Sequence, residues 1–223
     1  MRDAAFALFD FDNTLCRGDS IVPFLLFAVK RGLAPRRQLL RAAAGYAAQA
    51  FCPARTRRSK EIALSFIKGR TQEEMDELAR AFFRKVITPR LYPAGVDAIW
   101  QAREAGQRVV IVSASADVYM RVLPEFLPVD AVLATRCDAQ DGRYTGRVGE
   151  NCKGEEKVRR LETALAEMGL TIARNASCAY GDSLSDAPML RLAGTQTLVN
   201  PSAALRRALP SAAAVRWTTE GGR

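Results

Sequence analysis

From Pro93 onward the sequence alternates short apolar runs with amphipathic segments, and this alternation constrains the fold more than any other feature. The runs are rich in β-branched residues and have strand length, at positions 108–112, 129–134, 177–180 and 195–199. Helical patterns at 95–105 and 154–170 separate some of them, and Asp141 with Gly142 favours a hairpin turn. The alternation predicts an α/β fold with a Rossmann-like open parallel sheet, whose ligands bind at the carboxyl ends of the strands.

A long helical stretch interrupts this pattern near the amino terminus. After an apolar run that ends at Phe9, no strand pattern occurs before residue 88, and the helix candidates are 21–31, 38–51, 59–68 and 72–86. Thr71 and Glu74 have the spacing of a capping box. We therefore predict a catalytic core formed by residues 1–15 and 89–223, with a helical cap, residues 16–88, inserted between two strands.

The charge of the chain is concentrated in the inserted segment. Between Lys30 and Arg70 there are eleven basic residues and one acid, Glu61, which gives this segment a net charge of +10. The rest of the chain has a net charge of −1, so the whole chain carries +9. Such asymmetry favours an anionic partner at that segment, although a solvated helical surface explains it equally well. Histidine is absent, which excludes His-based triads and His metal sites and leaves carboxylates for proton transfer.

The cysteine content and hydropathy indicate a cytoplasmic protein. The five cysteines form no CxxC pair, and a reduced intracellular setting fits them best. The longest apolar stretch, residues 21–29, contains a proline and is too short to cross a bilayer. The amino terminus shows no signal-peptide pattern.

Two carboxylates follow the first apolar run. Asp10 and Asp12 are two residues apart on an extended chain, so both side chains can face one site at the end of the strand. Two carboxylates repel each other there unless a cation joins them, and Mg²⁺ prefers such oxygen ligands. The alternative is a strand end with two solvated acids.

Three further strand ends carry polar side chains. Ser113 follows one strand, where it could help to bind an anion or serve as a helix N-cap. Lys153 lies at the entry of the next long helix, where the helix dipole disfavours a cation, although a surface lysine is the ordinary interpretation. Asp182 and Asp186 lie in the loop after a later strand.

The four segments DFDNTL, VVIVSAS, NCKGEEK and YGDSLSD resemble, in this order, the four motifs of the haloacid dehalogenase superfamily. The resemblance extends from about residue 5 to about residue 200, and DGRYTG before the lysine motif is similar to the branch that contains phosphoserine phosphatase. The resemblance implies a Mg²⁺-dependent phosphatase that hydrolyses a phosphate monoester. It also implies that the inserted helices are a mobile cap over the active site.

By this resemblance each motif residue receives a role. Asp10 would be the nucleophile that forms an aspartyl-phosphate, and Asp12 the general acid and base. Asp10, Asp182 and the backbone carbonyl of Asp12 would hold Mg²⁺. The remaining assignments are Ser113 and Lys153 for phosphate binding, and Asp186 for orienting metal-bound water or Lys153.

The substrate is less well defined by the resemblance. Asp19 occupies a position that is usually Glu in phosphoserine phosphatases and there contacts the substrate, which makes Asp19 a specificity candidate. Ser183 and Ser185 replace the usual Gly and Asn, and residues 12–27 also resemble members linked to histidinol phosphate or to phosphatidylglycerophosphate. The prediction is a small phosphorylated metabolite such as histidinol phosphate or phosphoserine, with no nucleic-acid partner.

Three other functions stay open at the level of sequence. They are a lipid phosphatase whose basic residues 30–70 make a weak contact with an anionic membrane surface, a phosphotransferase, and a nonenzymatic binding protein with the same fold. The last is disfavoured because every reactive position of the motifs is filled.

Overall fold

The computed structural model describes residues 1–51 and 56–219, with no description of the side chains of residues 48–51. The strands are β1 (Arg2–Ala4), β2 (Phe6–Phe9), β3 (Arg108–Ala116), β4 (Ala131–Thr135), β5 (Cys137–Gln140), β6 (Arg143–Val148), β7 (Leu170–Ile172), β8 (Cys178–Gly181), β9 (Thr195–Val199) and β10 (Ala213–Val215). The α-helices are α1 (Ile21–Lys30), α2 (Arg37–Phe51), α3 (Thr56–Leu64), α4 (Gln72–Phe82), α5 (Pro93–Glu104), α6 (Asp117–Met120), α7 (Glu155–Glu167), α8 (Ala187–Leu190) and α9 (Ala203–Ala208).

A six-stranded parallel sheet in the order β10-β9-β8-β2-β3-β4 forms the centre of the molecule. β2 lies between β8 and β3, and all four of its residues are buried, as expected for a strand covered on both faces. The chain leaves β2 toward β3 on one side and returns through β8 on the other. This reversal opens a crevice at the carboxyl ends of β2 and β8. The predicted α/β class with an open parallel sheet is confirmed.

The segment between β2 and β3 is helical, as the sequence predicts. It contains α1 to α4 and short 3₁₀ and π turns at Ser65–Ile67, Phe83–Ile87 and Thr88–Arg90. α4 begins with the predicted capping box, in which Glu74 N donates to Thr71 Oγ1 and Thr71 N donates to Glu74 Oε2.

The inserted helices share a hydrophobic core with the sheet. One buried apolar cluster joins residues of β2 and β3 to residues of α1, α3 and α4, and a second cluster covers the opposite face of the sheet. Aromatic rings connect the inserted helices with the sheet domain. The ring of Tyr119 in α6 lies 4.7 Å from that of Phe24 and 5.8 Å from that of Phe82, measured between ring centroids. Phe83 and Phe126 make a similar contact at 5.1 Å. The helices are therefore packed on the core by apolar contacts.

Some elements differ from the sequence prediction. The short parallel pair of β1 and β7 was not predicted, and neither were α9 and β10. Cys52 and Arg55 lie outside the described residues, and the other four cysteines are free thiols. Among the helices that the structure describes, none combines the length and apolar character of a membrane span.

Candidate active site

The first and fourth motifs meet because their strands are neighbours. The ladder between β2 and β8 continues one step beyond β2, where Asp10 N donates to the carbonyl of Tyr180 at 3.0 Å. Asp10 and Asp182 thus follow adjacent parallel strands at the same edge of the sheet. Ligand atoms of Asp10, Asp182 and Asp186 lie within 4.8 Å of one another. All three carboxylates are site residues predicted from the sequence.

A buried lysine joins two of these acids. Lys157 Nζ donates to Asp10 Oδ1 at 2.6 Å and to Asp186 Oδ1 at 2.7 Å. Burial raises the pKa of Asp10 to about 6, although the charge of Lys157 opposes that rise, so Asp10 is largely ionised at neutral pH. Burial alone would lower the pKa of Lys157, but the charges of Asp10 and Asp186 raise it above the ordinary value. Lys157 therefore holds a fixed positive charge against Asp10.

Lys157 occupies the position that the sequence analysis gave to Lys153. The side chain of Lys153 is exposed, and it lines a surface groove together with Arg57, Asn151 and Ser185. It precedes α7, whereas Lys157 lies in the first turn of that helix on its buried face. Asp186 was expected to orient Lys153, but in the structure its contact is with Lys157.

A signal for Lys157 was present in the sequence. The apolar stripe of α7 includes Leu161 and Leu165, and one further step of four residues toward the amino terminus reaches Lys157. A lysine on the buried stripe of a helix is rarely fully buried unless it is paired, which makes it a candidate for a functional contact.

Asp186 is held in place from several directions. Its Oδ2 accepts hydrogen bonds from the backbone N of Ser183 at 3.0 Å and from Ser183 Oγ at 2.9 Å. Burial alone would raise the pKa of Asp186, but Lys157 and the Ser183 donors lower it below its ordinary value. Gly181 provides the space, because a Cβ there would lie 2.7 Å from the Cβ of Asp186. Asp186 thus positions Lys157, a role close to the one expected from the sequence.

Asp12 lies in a separate hydrogen-bond network. Its Oδ2 accepts a hydrogen bond from Ser115 Oγ at 2.5 Å, and Ser20 Oγ connects Ser115 with the hydroxyl of Tyr119 through two contacts of 2.9 Å. Its Oδ1 is buried without a hydrogen-bond partner among the described residues. Burial raises the pKa of Asp12 to about 7, and the charge of Asp19 adds to this effect. Asp12 can therefore be protonated near neutral pH. Its Oδ1 makes no hydrogen bond with the described residues and could carry that proton.

The second motif lies in an irregular part of β3. The register between β3 and β4 shifts between Val112 and Ala116, so the pairing of the two strands is irregular at residues 113–115. Ser113 is buried, and its Oγ accepts a hydrogen bond from Ser115 N at 3.0 Å. The N-cap interpretation of Ser113 is wrong, because Ala116 is the N-cap of α6.

The loop after β2 contributes Thr14, which sequence analysis did not select. Three successive backbone N–H groups, those of Thr14, Leu15 and Cys16, donate to the carbonyl of Phe11 and close a tight turn. The turn directs Thr14 Oγ1 to Asp10 Oδ2 at 3.1 Å. Both oxygens of the Asp10 carboxylate are therefore fixed, one by Lys157 and one by Thr14.

The carboxylates retain excess negative charge in spite of Lys157. Burial, together with the charges of Asp10 and Asp186, raises the pKa of Asp182 to about 8. A third ionised carboxylate is therefore unfavourable here unless a cation joins the group, and a divalent cation with oxygen ligands would allow Asp182 to ionise. The donor set therefore fits Mg²⁺.

Two charged side chains of the inserted segment also approach the site: Asp19, which was selected from the sequence, and Lys60, which was not. Asp19, at the start of α1, accepts a hydrogen bond from Ile21 N at 2.8 Å, and its charge acts on Asp12. Lys60 of α3 is buried and donates to the carbonyl of Ala114 and to Asn151 Oδ1. Burial lowers the pKa of Lys60 to about 8, against the opposite effect of Asp19 and Asp12.

Comparison with known proteins agrees with this geometry. Residues 7–191 match the profile of the haloacid dehalogenase-like hydrolases. The chain belongs to this family. A protein named phosphoserine phosphatase SerB1 from Mycobacterium tuberculosis is 32% identical over 212 residues, which cover 91% of this chain and 67% of the relative. As a member of the haloacid dehalogenase-like hydrolases, the protein is an enzyme, and the resemblance stated from its four motifs is confirmed.

Solved structures show the same fold. A Bordetella pertussis protein of unknown function superposes with a TM-score of 0.83 at 28% identity, covering 96% of this chain and 98% of the other. A substrate-bound phosphoserine phosphatase superposes with a TM-score of 0.64 at 20% identity, covering 96% and 94%. At that identity the second likeness shows the fold alone. It includes the helical insertion, so this hydrolase has the core-and-cap arrangement of those structures.

Proposed function

We propose that this hydrolase cleaves phosphate monoesters through an aspartyl-phosphate on Asp10. The observation that carries the proposal is the fixed pair of Asp10 and Lys157, with a half-buried Asp12 two residues away in a hydrogen-bond network of its own. A nucleophile held ionised next to a cation, with a proton donor two residues away, is what in-line phosphoryl transfer requires of a protein. The name of the mycobacterial relative supports the same reaction class.

The reaction follows in two displacements. A carboxylate oxygen of Asp10 attacks phosphorus, and the bond from phosphorus to the alcohol oxygen breaks while Asp12 gives that oxygen its proton. Water then attacks the phosphorus of the aspartyl-phosphate, transfers a proton to Asp12 and releases inorganic phosphate and the Asp10 carboxylate. Asp12 thus returns to its starting protonation state.

The surrounding residues stabilise the charge that develops on the phosphoryl group. Lys157 and Ser113 would contact its oxygens, with Asp186 positioning Lys157. Mg²⁺, held by Asp10, Asp182 and the backbone carbonyl of Asp12, would reduce the repulsion between the anionic nucleophile and the anionic phosphate when bound. Lys153 is not included, because its side chain is exposed in the groove outside this cluster.

We further propose that the substrate is a small polar metabolite, with phosphoserine and histidinol phosphate among the candidates. The cap residues Asp19 and Lys60 bring charged groups of both signs toward Asp12, which favours a polar leaving group. Neither the comparisons nor the described part of the chain supports contact of residues 30–70 with a membrane surface. The cytoplasmic location stays a prediction from the sequence.

The direct test is a panel of phosphorylated metabolites assayed for phosphate release with Mg²⁺ and with chelator. Wild type should hydrolyse at least one member with Mg²⁺ and lose that activity when the metal is removed. Asp10→Asn should lower kcat about a thousandfold or more, because an amide does not attack phosphorus at a useful rate. Asp141→Asn, at an exposed hairpin turn where the backbone is left-handed, is the matched control. Normal turnover by Asp10→Asn would refute the mechanism.

A further inference from the structure

Trp217 follows β10 and packs against two tyrosines near the carboxyl ends of the strands. Its ring centroid lies 5.9 Å from that of Tyr180 and 6.4 Å from that of Tyr92. Tyr180 belongs to β8, and its ring is in turn stacked on Phe9 of β2, with 4.3 Å between the centroids. Trp217 lies outside residues 7–191, which match the family profile, and the reaction proposed above does not use it. An indole ring in this position could support the loops that begin where β2 and β8 end.

The absence of a side chain at Gly95 brings the Trp217 ring close to the loop that follows β2. A Cβ at Gly95 would lie 2.9 Å from Cζ3 of Trp217 and 3.0 Å from Cδ2 of Leu15. Both side chains therefore pack on the same point of the α5 backbone. Leu15 belongs to the tight turn after Asp12, and its carbonyl accepts a hydrogen bond from Tyr92 N at 2.9 Å. The indole ring is thus packed where this turn meets α5.

Hydrogen bonds fix the backbone on either side of the ring. Trp217 N donates to Asn200 Oδ1, and Asn200 Nδ2 donates to the carbonyl of Trp217, both at 3.0 Å. Asn200 N donates to the carbonyl of Val215 at 2.9 Å. In the same loop after β9, Ser202 N donates to the carbonyl of Asp182 at 2.9 Å. This loop therefore connects Trp217 with the backbone of Asp182, which would be a ligand of Mg²⁺.

We propose that Trp217 is a positioning residue for the Mg²⁺ site. Its ring packs on Tyr180, which lies two residues before Asp182. It shares its contact at Gly95 with Leu15 of the loop after β2. The two loops that carry the oxygen ligands are thereby held in one arrangement before a cation binds. Binding then costs less conformational freedom, so Mg²⁺ binds more tightly. The inference rests on the proposed function, because that function supplies the reason for a Mg²⁺ site here.

Calorimetric titration of the purified protein with magnesium chloride measures this contribution without a substrate. Trp217→Ala should raise the Kd for Mg²⁺ about tenfold, as is typical when a group that supports metal ligands is removed. Trp217→Phe keeps an aromatic ring against the tyrosines and should raise the Kd by a smaller factor. Trp100→Ala is the matched control, because Trp100 is the other tryptophan of the chain, lies on α5 and is 52% exposed. It should leave the Kd unchanged.

The rate of phosphate release at increasing Mg²⁺ concentration gives a second readout. In Trp217→Ala, the Mg²⁺ concentration for half-maximal rate should increase by about the same factor as the Kd. At saturating Mg²⁺ the rate should return to within about threefold of wild type, because the ligands themselves are intact. A purely structural defect would instead lower the rate at every Mg²⁺ concentration without moving the midpoint, and that result would contradict the proposal.

Gly95→Ala tests the same contact if Trp217→Ala does not fold, as judged by circular dichroism. This variant keeps every aromatic ring but places a methyl group 2.9 Å from the indole, so the ring must move. The Kd for Mg²⁺ should then rise at least about threefold while the protein remains folded.

The outcomes separate this inference from the proposed function. An unchanged Kd in folded Trp217→Ala, or in Gly95→Ala where the first variant does not fold, would overturn the inference and leave the phosphatase activity intact. An equal increase in Trp100→Ala would also overturn it, because the effect would then not be specific to Trp217. If wild type binds no Mg²⁺, the inference fails. If wild type releases no phosphate from any ester of the panel, the proposed function fails, whatever the calorimetry shows.

Discussion

At the scale of single residues, the two lysines of the third motif illustrate what a sequence pattern can establish. Lys153 and Lys157 are four residues apart, and both lie in the segment NCKGEEK. The motif places a lysine near the carboxylates, but one helical turn decides which side chain faces the sheet. That choice depends on where α7 begins, and helix boundaries are the least certain feature of a sequence-based prediction.

Replacing each lysine separately tests the assignment. Lys157→Met should lower kcat about a hundredfold or more, because it removes the charge that fixes Asp10 and contacts the phosphoryl group. It should also destabilise the protein by about 3–5 kcal/mol, since two buried carboxylates lose their partner. Lys153→Met, of an exposed side chain, is the control and should retain nearly full activity. Steady-state kinetics and thermal unfolding measure both effects, and the reverse ranking would show that Lys153 is the functional lysine.

Lys60 predicts a dependence of stability on pH. Its pKa falls from the ordinary 10.5 to about 8 in the folded protein. Below pH 8 both folded and unfolded states carry the proton, and the folded state bears the full cost of the buried charge. As the pH rises from 8 to 10.5, the folded state holds Lys60 neutral and this cost disappears. Lys60→Met removes this buried charge, so at pH 7 its free energy of unfolding should gain relative to that of wild type. At pH 10.5 this gain should be smaller by up to about 3 kcal/mol. Urea unfolding of both proteins at the two pH values gives this difference, and a pH-independent difference would contradict it.

At the scale of secondary-structure elements, the sequence predicted most of the sheet and the helices of the insertion. β9 has the bounds that its apolar run indicates, because the run is flanked by breaks on both sides. The sequence did not reveal that β3 continues through residues 113–116, because the apolar run ends at Val112 and small serine and alanine residues follow it. Ser113 and Ser115 belong to this segment. The small polar residues that made the end of β3 difficult to predict are therefore also residues of the candidate site.

The end of β8 depends on a residue without a side chain. Gly181→Ala would place a Cβ 2.7 Å from the Cβ of Asp186. Asp186 would have to move away from Lys157, so kcat should fall at least about tenfold and stability by about 1–3 kcal/mol. Gly149→Ala is the matched control, because its Cβ would meet its nearest neighbour at 3.5 Å, an ordinary contact. Full activity of Gly181→Ala would show that the position of Asp186 tolerates displacement.

At the scale of the whole molecule, the packing of the cap on the core could not be predicted from the sequence. The pattern identifies an insertion, but it does not show that α1, α3 and α4 share one apolar cluster with β2 and β3. The contacts of Phe24 and Phe82 with Tyr119 are long-range, and no local periodicity encodes them. For the same reason the hydrogen bonds from Lys60 to Ala114 and Asn151 become visible only in the folded structure.

A shared core predicts that cap and sheet unfold together. Calorimetry should give a single transition whose calorimetric and van't Hoff enthalpies agree. Phe82→Ala, in the cap part of the cluster, should lower the midpoint of that one transition by the equivalent of about 3–5 kcal/mol. Two separate transitions, with only one of them shifted by Phe82→Ala, would show that the cap is an independent unit.

The covalent role of Asp10 is the central claim, and trapping the intermediate tests it most directly. The enzyme is mixed with an excess of a hydrolysed ester and Mg²⁺, quenched in acid during turnover, digested and analysed by mass spectrometry. We predict one added phosphoryl group on the peptide that contains Asp10, and its absence from Asp10→Asn treated in the same way. A phosphoryl group on another residue, or none on the Asp10 peptide at any quench time before phosphate release, would contradict the account.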